Sequence, residues 1–182
     1  MPSVRLLDAA LATYSYAQNT FAPVAAATDI WQLAGAAGVV TKVRYVMLSG
    51  TAAALRKQGV SLIKRSTATS GTTSTNPTIS KMDTADATPA SVITEWTTLP
   101  SGGVGTIIAA AANDTFMMGI VATSVLDIDR AIFNYHGQDM KPITLGGSGL
   151  KEYLCVNFLT GVAAVSTISS DKLDFQILWT EQ

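Results

Sequence analysis

Charge is what this sequence has least of. Lys, Arg, Asp and Glu together make 14% of its 182 residues, and the formal net charge is −1, where an ordinary globular chain carries roughly 25% charged residues. A surface so poor in charge has to be built from Ser, Thr, Gly, Asn and Ala. Two readings of it stay open: a neutral coat on a sparse monomer, or a surface largely covered by neighbouring subunits. The second is favoured, because weak net repulsion permits dense packing. The twelve Lys and Arg residues give no basic excess and are spread along the chain, which argues against a nucleic-acid partner.

Other absences narrow the field further. No stretch approaches the ~20 uninterrupted apolar residues of a membrane span, so no membrane partner is expected. The opening "MPSVRLLDAALATYSYA" has Arg5 and Asp8 inside its apolar run and does not read as a secretory leader; synthesis in the cytosol is the expectation. The one cysteine, Cys155, has no intramolecular disulfide partner and reads as a small inert thiol in a strand. The one histidine, His136, sits in "NYHGQD" with Asp127, Asp129 and Asp139 near in sequence. No GxSxG elbow accompanies it, so a surface or strand role is expected over a catalytic one.

The remaining chemical candidates are weak. Asp127 and Asp129 in "LDIDR", with Asp83 and Asp86 in "MDTAD", lack the glycine and terminal Glu of a calcium loop and read as solvated turn carboxylates. "SGGVG" at 101–105 and "GGSG" at 146–149 lack the lysine and helix of a phosphate loop and read as turns. "NDT" at 113–115 matches a glycosylation acceptor but has no secretory context. No catalytic, cofactor-binding or metal-binding residue is assigned, and the chain is expected not to be an enzyme.

What is abundant is alternation. In "KLDFQILWTEQ", Leu173, Phe175, Ile177 and Trp179 share one face and Asp174, Gln176, Leu178 and Thr180 the other, the period of a half-buried strand. "GLKEYLCVNFLTG" sets Leu154, Val156 and Phe158 against Tyr153, Cys155 and Asn157. "TKVRYVMLSG" sets Val43, Tyr45 and Met47 against Arg44, Val46 and Leu48. "GVSLIKRS" divides into Val60, Leu62 and Lys64 against Ser61, Ile63 and Arg65. "SVITEWTT" divides into Val92, Thr94 and Trp96 against Ile93, Glu95 and Thr97. "ATYSYA", "DIWQLAG", "GTIIAAA", "RAIFNYH" and "KPITLGG" are shorter candidates, with turn residues in nearly every gap.

About ten short strands predict an all-β chain, an antiparallel β-sandwich of jelly-roll-like form with long loops. At most two short helices are expected: one within residues 1–12, which otherwise form an N-terminal arm, and one in "GTAAALRKQG". The polar run from Ser66 to Ala90 reads as a long surface loop within one domain spanning 1–182, with a short strand at "TISKM". As an interdomain linker it would leave the preceding residues to bury a core of their own, which is marginal at that size. Trp31, Trp96 and Trp179 each fall in a strand pattern and are expected in the core. A sugar-binding role would need aromatics on loops or on a sheet's outer face.

Two stretches carry a resemblance. The first runs from "TYSYAQNTFAPVAAATDIWQLAGAAGVVTKVRYVMLSGTA" to "LIKRSTATSGTTSTNPTISKMDTADATPASVITEW"; the second is "KPITLGGSGLKEYLCVNFLTG" with "KLDFQILWTEQ". Together they resemble a group of small structural proteins of tailed bacteriophages and prophages. In that group an "ATD" strand precedes a strand ending "SG-T-A", "KRST" leads a Thr/Ser/Gly loop, and the chain ends in "W-T-E". This sequence departs from the pattern at Met82 and over residues 108–130. The resemblance implies a non-enzymatic virion component, a capsid decoration, head-fibre or tail-associated subunit. It would be made in the host bacterial cytoplasm, assemble as a homo-oligomer with a trimer favoured, and bind other virion proteins such as the major capsid or tail proteins. A glycan- or receptor-binding sandwich is the alternative.

Overall fold

The structure, a computed structural model, describes residues 11–22, 28–52, 56–71, 74–108, 114–122, 130–135, 141–146, 149–158 and 172–182. The described residues form twelve strands and no helix. In chain order these are β1 (Ala12–Phe21), β2 (Asp29–Ala34), β3 (Thr41–Ala52), β4 (Arg56–Arg65), β5 (Ser74–Thr75), β6 (Ser80–Lys81), β7 (Val92–Trp96), β8 (Asp114–Ala122), β9 (Arg130–Asn134), β10 (Ile143–Leu145), β11 (Tyr153–Phe158) and β12 (Lys172–Glu181).

They make an antiparallel β-sandwich. One sheet runs β6-β1-β12-β3, with β10 and β9 paired in succession along the far edge of β3. The other runs β5-β7-β2-β11-β4-β8. β8 joins the two: it is antiparallel to β4, and its last residues lie parallel to the end of β3, Thr51 beside Val121 and Ala52 beside Ala122.

The alternating faces close on one another as period two requires. Leu173, Phe175, Ile177 and Trp179 of β12 face Leu154, Val156 and Phe158 of β11 across a common core, with Tyr14, Tyr16, Trp31, Leu33, Val60 and Leu62. Trp31 of one sheet stacks on Phe175 of the other, ring centroids 4.3 Å apart and planes 9° from parallel, and Phe21 packs on Trp31 at 4.7 Å. Each such side chain taken out of water contributes about 1.5–3 kcal/mol.

Four expectations need correction. The helix expected in "GTAAALRKQG" is not formed: Gly50–Ala52 end β3 and Arg56–Gly59 open β4, because pairing with β12 and β8 outweighs a weak Ala-based propensity. Along β3 the buried set is Val43, Val46 and Leu48, although simple alternation puts Val43 on the face opposite Val46 and Leu48. The register shifts between Leu178 and Trp179, so that Tyr45 pairs Leu178 and Val43 pairs Trp179; one extra residue in β3 switches the inward face mid-strand. On β7 the inward residues are Ile93 and Glu95, while Val92 is 42% exposed. "GTIIAAA" contributes only an isolated bridge, Ile107 to Arg65, over its described part. Two elements were not anticipated, β5 and β8, whereas the short strand at "TISKM" is β6. The expected N-terminal helix or arm lies, up to residue 10, outside the described residues; Ala12 already belongs to β1.

Candidate functional site

The outer face of the β2 sheet is where polar side chains converge, and the polar run after β4 is what covers it. Arg65 ends β4 and Asp29 begins β2, both almost wholly buried. Their pairing is two-pronged, Nε to Oδ2 at 2.9 Å and Nη2 to Oδ1 at 2.8 Å, the geometry that suits a planar guanidinium to a carboxylate. Asn157 Nδ2 donates to Asp29 Oδ1 at 2.7 Å, and the Thr69 hydroxyl donates to Oδ2. Arg65 Nη1 donates to the Gly105 carbonyl at 2.6 Å, and the Gly105 N–H donates to Thr69 Oγ1 at 3.3 Å. Every lone pair of the buried carboxylate therefore has a donor, which is what makes a buried charge tolerable.

That cluster holds two loops on the sheet. Ser70 exchanges backbone bonds with Gly102 and Gly103, and Ser66 N–H donates to the Thr106 carbonyl at 2.9 Å. Gly105 is required by close approach, since a β-carbon there would run into the Thr67 carbonyl. Much of the polar run between Ser66 and Ala90 is thus bound to its own sandwich. Its second half continues the pattern: the Met82 N–H donates to the Thr13 carbonyl at 2.9 Å and the Tyr14 hydroxyl to the Ala87 carbonyl at 3.0 Å. Glu181, in the terminal "WTE", accepts from the Ala90 N–H at 2.9 Å, the Ser91 N–H at 3.0 Å and the Trp179 indole at 3.1 Å.

A second buried carboxylate lies between the sheets. Glu95 accepts from the Tyr16 hydroxyl and from Trp31 Nε1 at 3.3 Å. The Thr75 hydroxyl donates to its Oε2 at 3.4 Å, and Gln18, its amide oriented to satisfy its neighbours, donates there at 3.3 Å. Burial, then the bond to Glu95, pushes the Tyr16 phenol above its ordinary range. Glu152 similarly takes Lys64 Nζ at 2.8 Å and the Gly146 N–H at 2.9 Å.

Beside the covering loops, the same outer face carries a groove of about 360 Å³. In the cross-strand row Tyr153–Ala34–Val92, the small Ala34 lies between two larger side chains and forms the dip. Gln32 and Thr94 line the next row, Trp96 and Gly71 one wall, and Lys151 and Asn76 the rim. Lys151 Nζ stands over the Tyr153 ring, 5.7 Å from its centre.

The candidates named from sequence disperse. Trp31 and Trp179 lie in the core as expected. Trp96 is buried but on the outer face, under the loop at Gly71 and outside the inter-sheet core. Cys155 is buried beside the Asp29–Arg65 pair, and burial, then the Asp29 charge, raise its thiol well above the ordinary value. Asp83 and Asp86 build a turn: Asp83 Oδ1 accepts from the Ala85 N–H at 2.8 Å, and Asp86 Oδ2 from the Thr13 N–H at 3.2 Å. Asn113, Asp127, Asp129, His136 and Asp139 lie outside the described residues. Among the described residues no group of three His, Cys, Asp or Glu is placed to hold a metal, and no helix is long and apolar enough to cross a membrane. Sequence reasoning missed the groove because its donors, Gln32, Asn76 and Lys151, come from three separate segments; the one local signal was Tyr153 on the polar face of its strand. No protein-family model, no curated protein and no solved structure matches the chain.

Proposed function

We propose that the protein is a non-enzymatic structural subunit of a tailed-bacteriophage virion, a capsid-decoration or tail-associated component that acts by assembling with copies of itself, a trimer favoured, and with other virion proteins. The observation that carries this reading is how the buried charge is used. Asp29, Arg65, Glu95 and Glu152, all buried, and the partly exposed Glu181 each bind a loop or a neighbouring strand, so ionisable groups serve to make a rigid body with fixed loops. The "ATD", "KRST" and "WTE" residues on which the phage resemblance rests supply Asp29, Arg65 and Glu181 of those clusters, and Thr69 lies two residues beyond "KRST".

The surface offered is correspondingly sticky. Leu99, Val104 and Ile107 are exposed on the segment after β7, one of the two loops held on the β2 sheet, and Leu150 and Val92 are exposed near the groove. With so few charges, contacts between such surfaces meet little repulsion, and weak contacts repeated in an oligomer gain by roughly 10²–10⁴ through multivalency. Mass spectrometry of purified particles tests the reading: the expected result is this chain at a fixed multiple of the major capsid or tail protein, and its absence from the particle overturns it. The recognition alternative draws on one observation of its own, Trp96 and Tyr153 on the outer face of a sheet.

A further inference from the structure

The groove over Ala34 presents amide and ammonium donors that have no acceptor among the described residues. Gln32 is more than nine-tenths buried, and its Oε1 accepts from the Thr69 N–H at 2.9 Å and faces Cys155 Sγ at 3.7 Å. That fixes the amide and leaves its nitrogen, a donor, with no partner among the described residues. Asn76 is exposed at the edge of the groove; its Oδ1 accepts from Thr94 Oγ1 at 3.1 Å, and its nitrogen has no partner among the described residues. At the wall, the buried indole N–H of Trp96 has no partner among the described residues. Lys151 adds a positive charge at the rim, and no carboxylate among the described residues lines the groove. Of these donors only the Trp96 N–H is wholly enclosed, and leaving such a group unpaired costs about 1–3 kcal/mol; at Gln32 and Asn76 a ligand oxygen would take the place of water.

We propose that this groove binds an acidic saccharide, one or two sugar rings of which at least one bears a carboxylate. The ring face lies against Tyr153 and the shallow floor at Ala34, sugar oxygens accept from Gln32 and Asn76, and the carboxylate pairs with Lys151. A sugar supplies what these groups lack: several oxygen acceptors on a flat ring whose C–H face suits an aromatic side chain. The volume lies near the lower end of the range for small-ligand sites, about 300–1,000 Å³, which suits a ring or two. The inference deepens the recognition alternative and does not depend on assembly: particle mass spectrometry reports on one and sugar titration on the other.

The test is calorimetric titration of the full chain with oligogalacturonate and sialyllactose as acidic probes and maltotriose and chitotriose as neutral ones. At least one acidic probe is expected to bind. Lys151→Ala, an exposed change that leaves the fold untouched, is expected to weaken it by about tenfold or more, the scale of one charge-assisted hydrogen bond, and to leave neutral probes unaffected. Tyr153→Ala is expected to weaken every probe that binds. Binding by neither acidic probe overturns the proposal. So does acidic-probe binding that is indifferent to both substitutions, or binding in which neutral and acidic probes are equal and Lys151→Ala changes neither.

Discussion

Arg65 and Asp29 are the residues whose loss the sandwich should feel most. Removing one member strands the other as an uncompensated buried charge, which costs about 3–5 kcal/mol. Arg65→Ala and Asp29→Ala should each lower the urea midpoint accordingly, whereas the double change Arg65→Met with Asp29→Leu should recover most of the loss, because apolar side chains carry no desolvation penalty. Thr20 is a second, opposite case. It is a β-branched residue at φ 59°, in the bulge of β1 between Gln18 and Phe21, held by its N–H donating to Asp174 Oδ1 at 3.0 Å. A left-handed backbone costs an L residue about 1–2 kcal/mol, so Thr20→Gly should stabilise by about 1 kcal/mol and raise Tm by about 2–4 °C, read by differential scanning calorimetry. Titration supplies a third. Cys155 and Tyr16 both have folded-state pKa values raised above their ordinary 9.0 and 10.0. A group raised in this way stabilises fully below its unfolded pKa, and the contribution drains as pH climbs toward the folded value. These two groups should therefore leave stability flat through neutrality and lower it above about pH 9, with a shallower fall in Cys155→Ala and Tyr16→Phe; urea midpoints at several alkaline pH values check this.

At the scale of elements, the informative segment is the one between β6 and β7. Its Ala90 and Ser91 amides are held by a single carboxylate, Glu181, at the end of β12. Glu181→Ala should therefore speed hydrogen exchange at those two amides while leaving the β12–β3 pairing protected; unchanged exchange there would contradict the assignment. The strands were largely legible in the sequence because alternation is local: β12, β11 and β4 bury the faces their patterns predict. What was not legible depends on pairing. The inward face of β3 changes at a bulge that no single strand encodes, and β7 turns Ile93 and Glu95 inward because Glu95 finds Tyr16, Trp31 and Gln18 there. Strand order, and the use of β8 to connect the sheets, rests on contacts between distant segments. The groove was illegible for the same reason, since its floor is a row across β11, β2 and β7. The attachment of the polar run Ser66–Ala90 to its own body through Thr69 depends on where Asp29 and Gln32 lie.

The whole molecule is a sandwich with fixed loops and a charge-poor exterior of almost no net charge. Such a body has little to keep copies apart, and it carries exposed Leu99, Val104 and Ile107 on one pinned loop. Closed cyclic association is the usual outcome for like subunits. Light scattering coupled to size exclusion over a wide concentration range tests this most directly. The expected result is a defined particle whose mass is a small multiple of the 19.0 kDa chain, three copies foremost; a persistent single-chain mass at the highest concentration reached would rule out assembly as the way this protein acts.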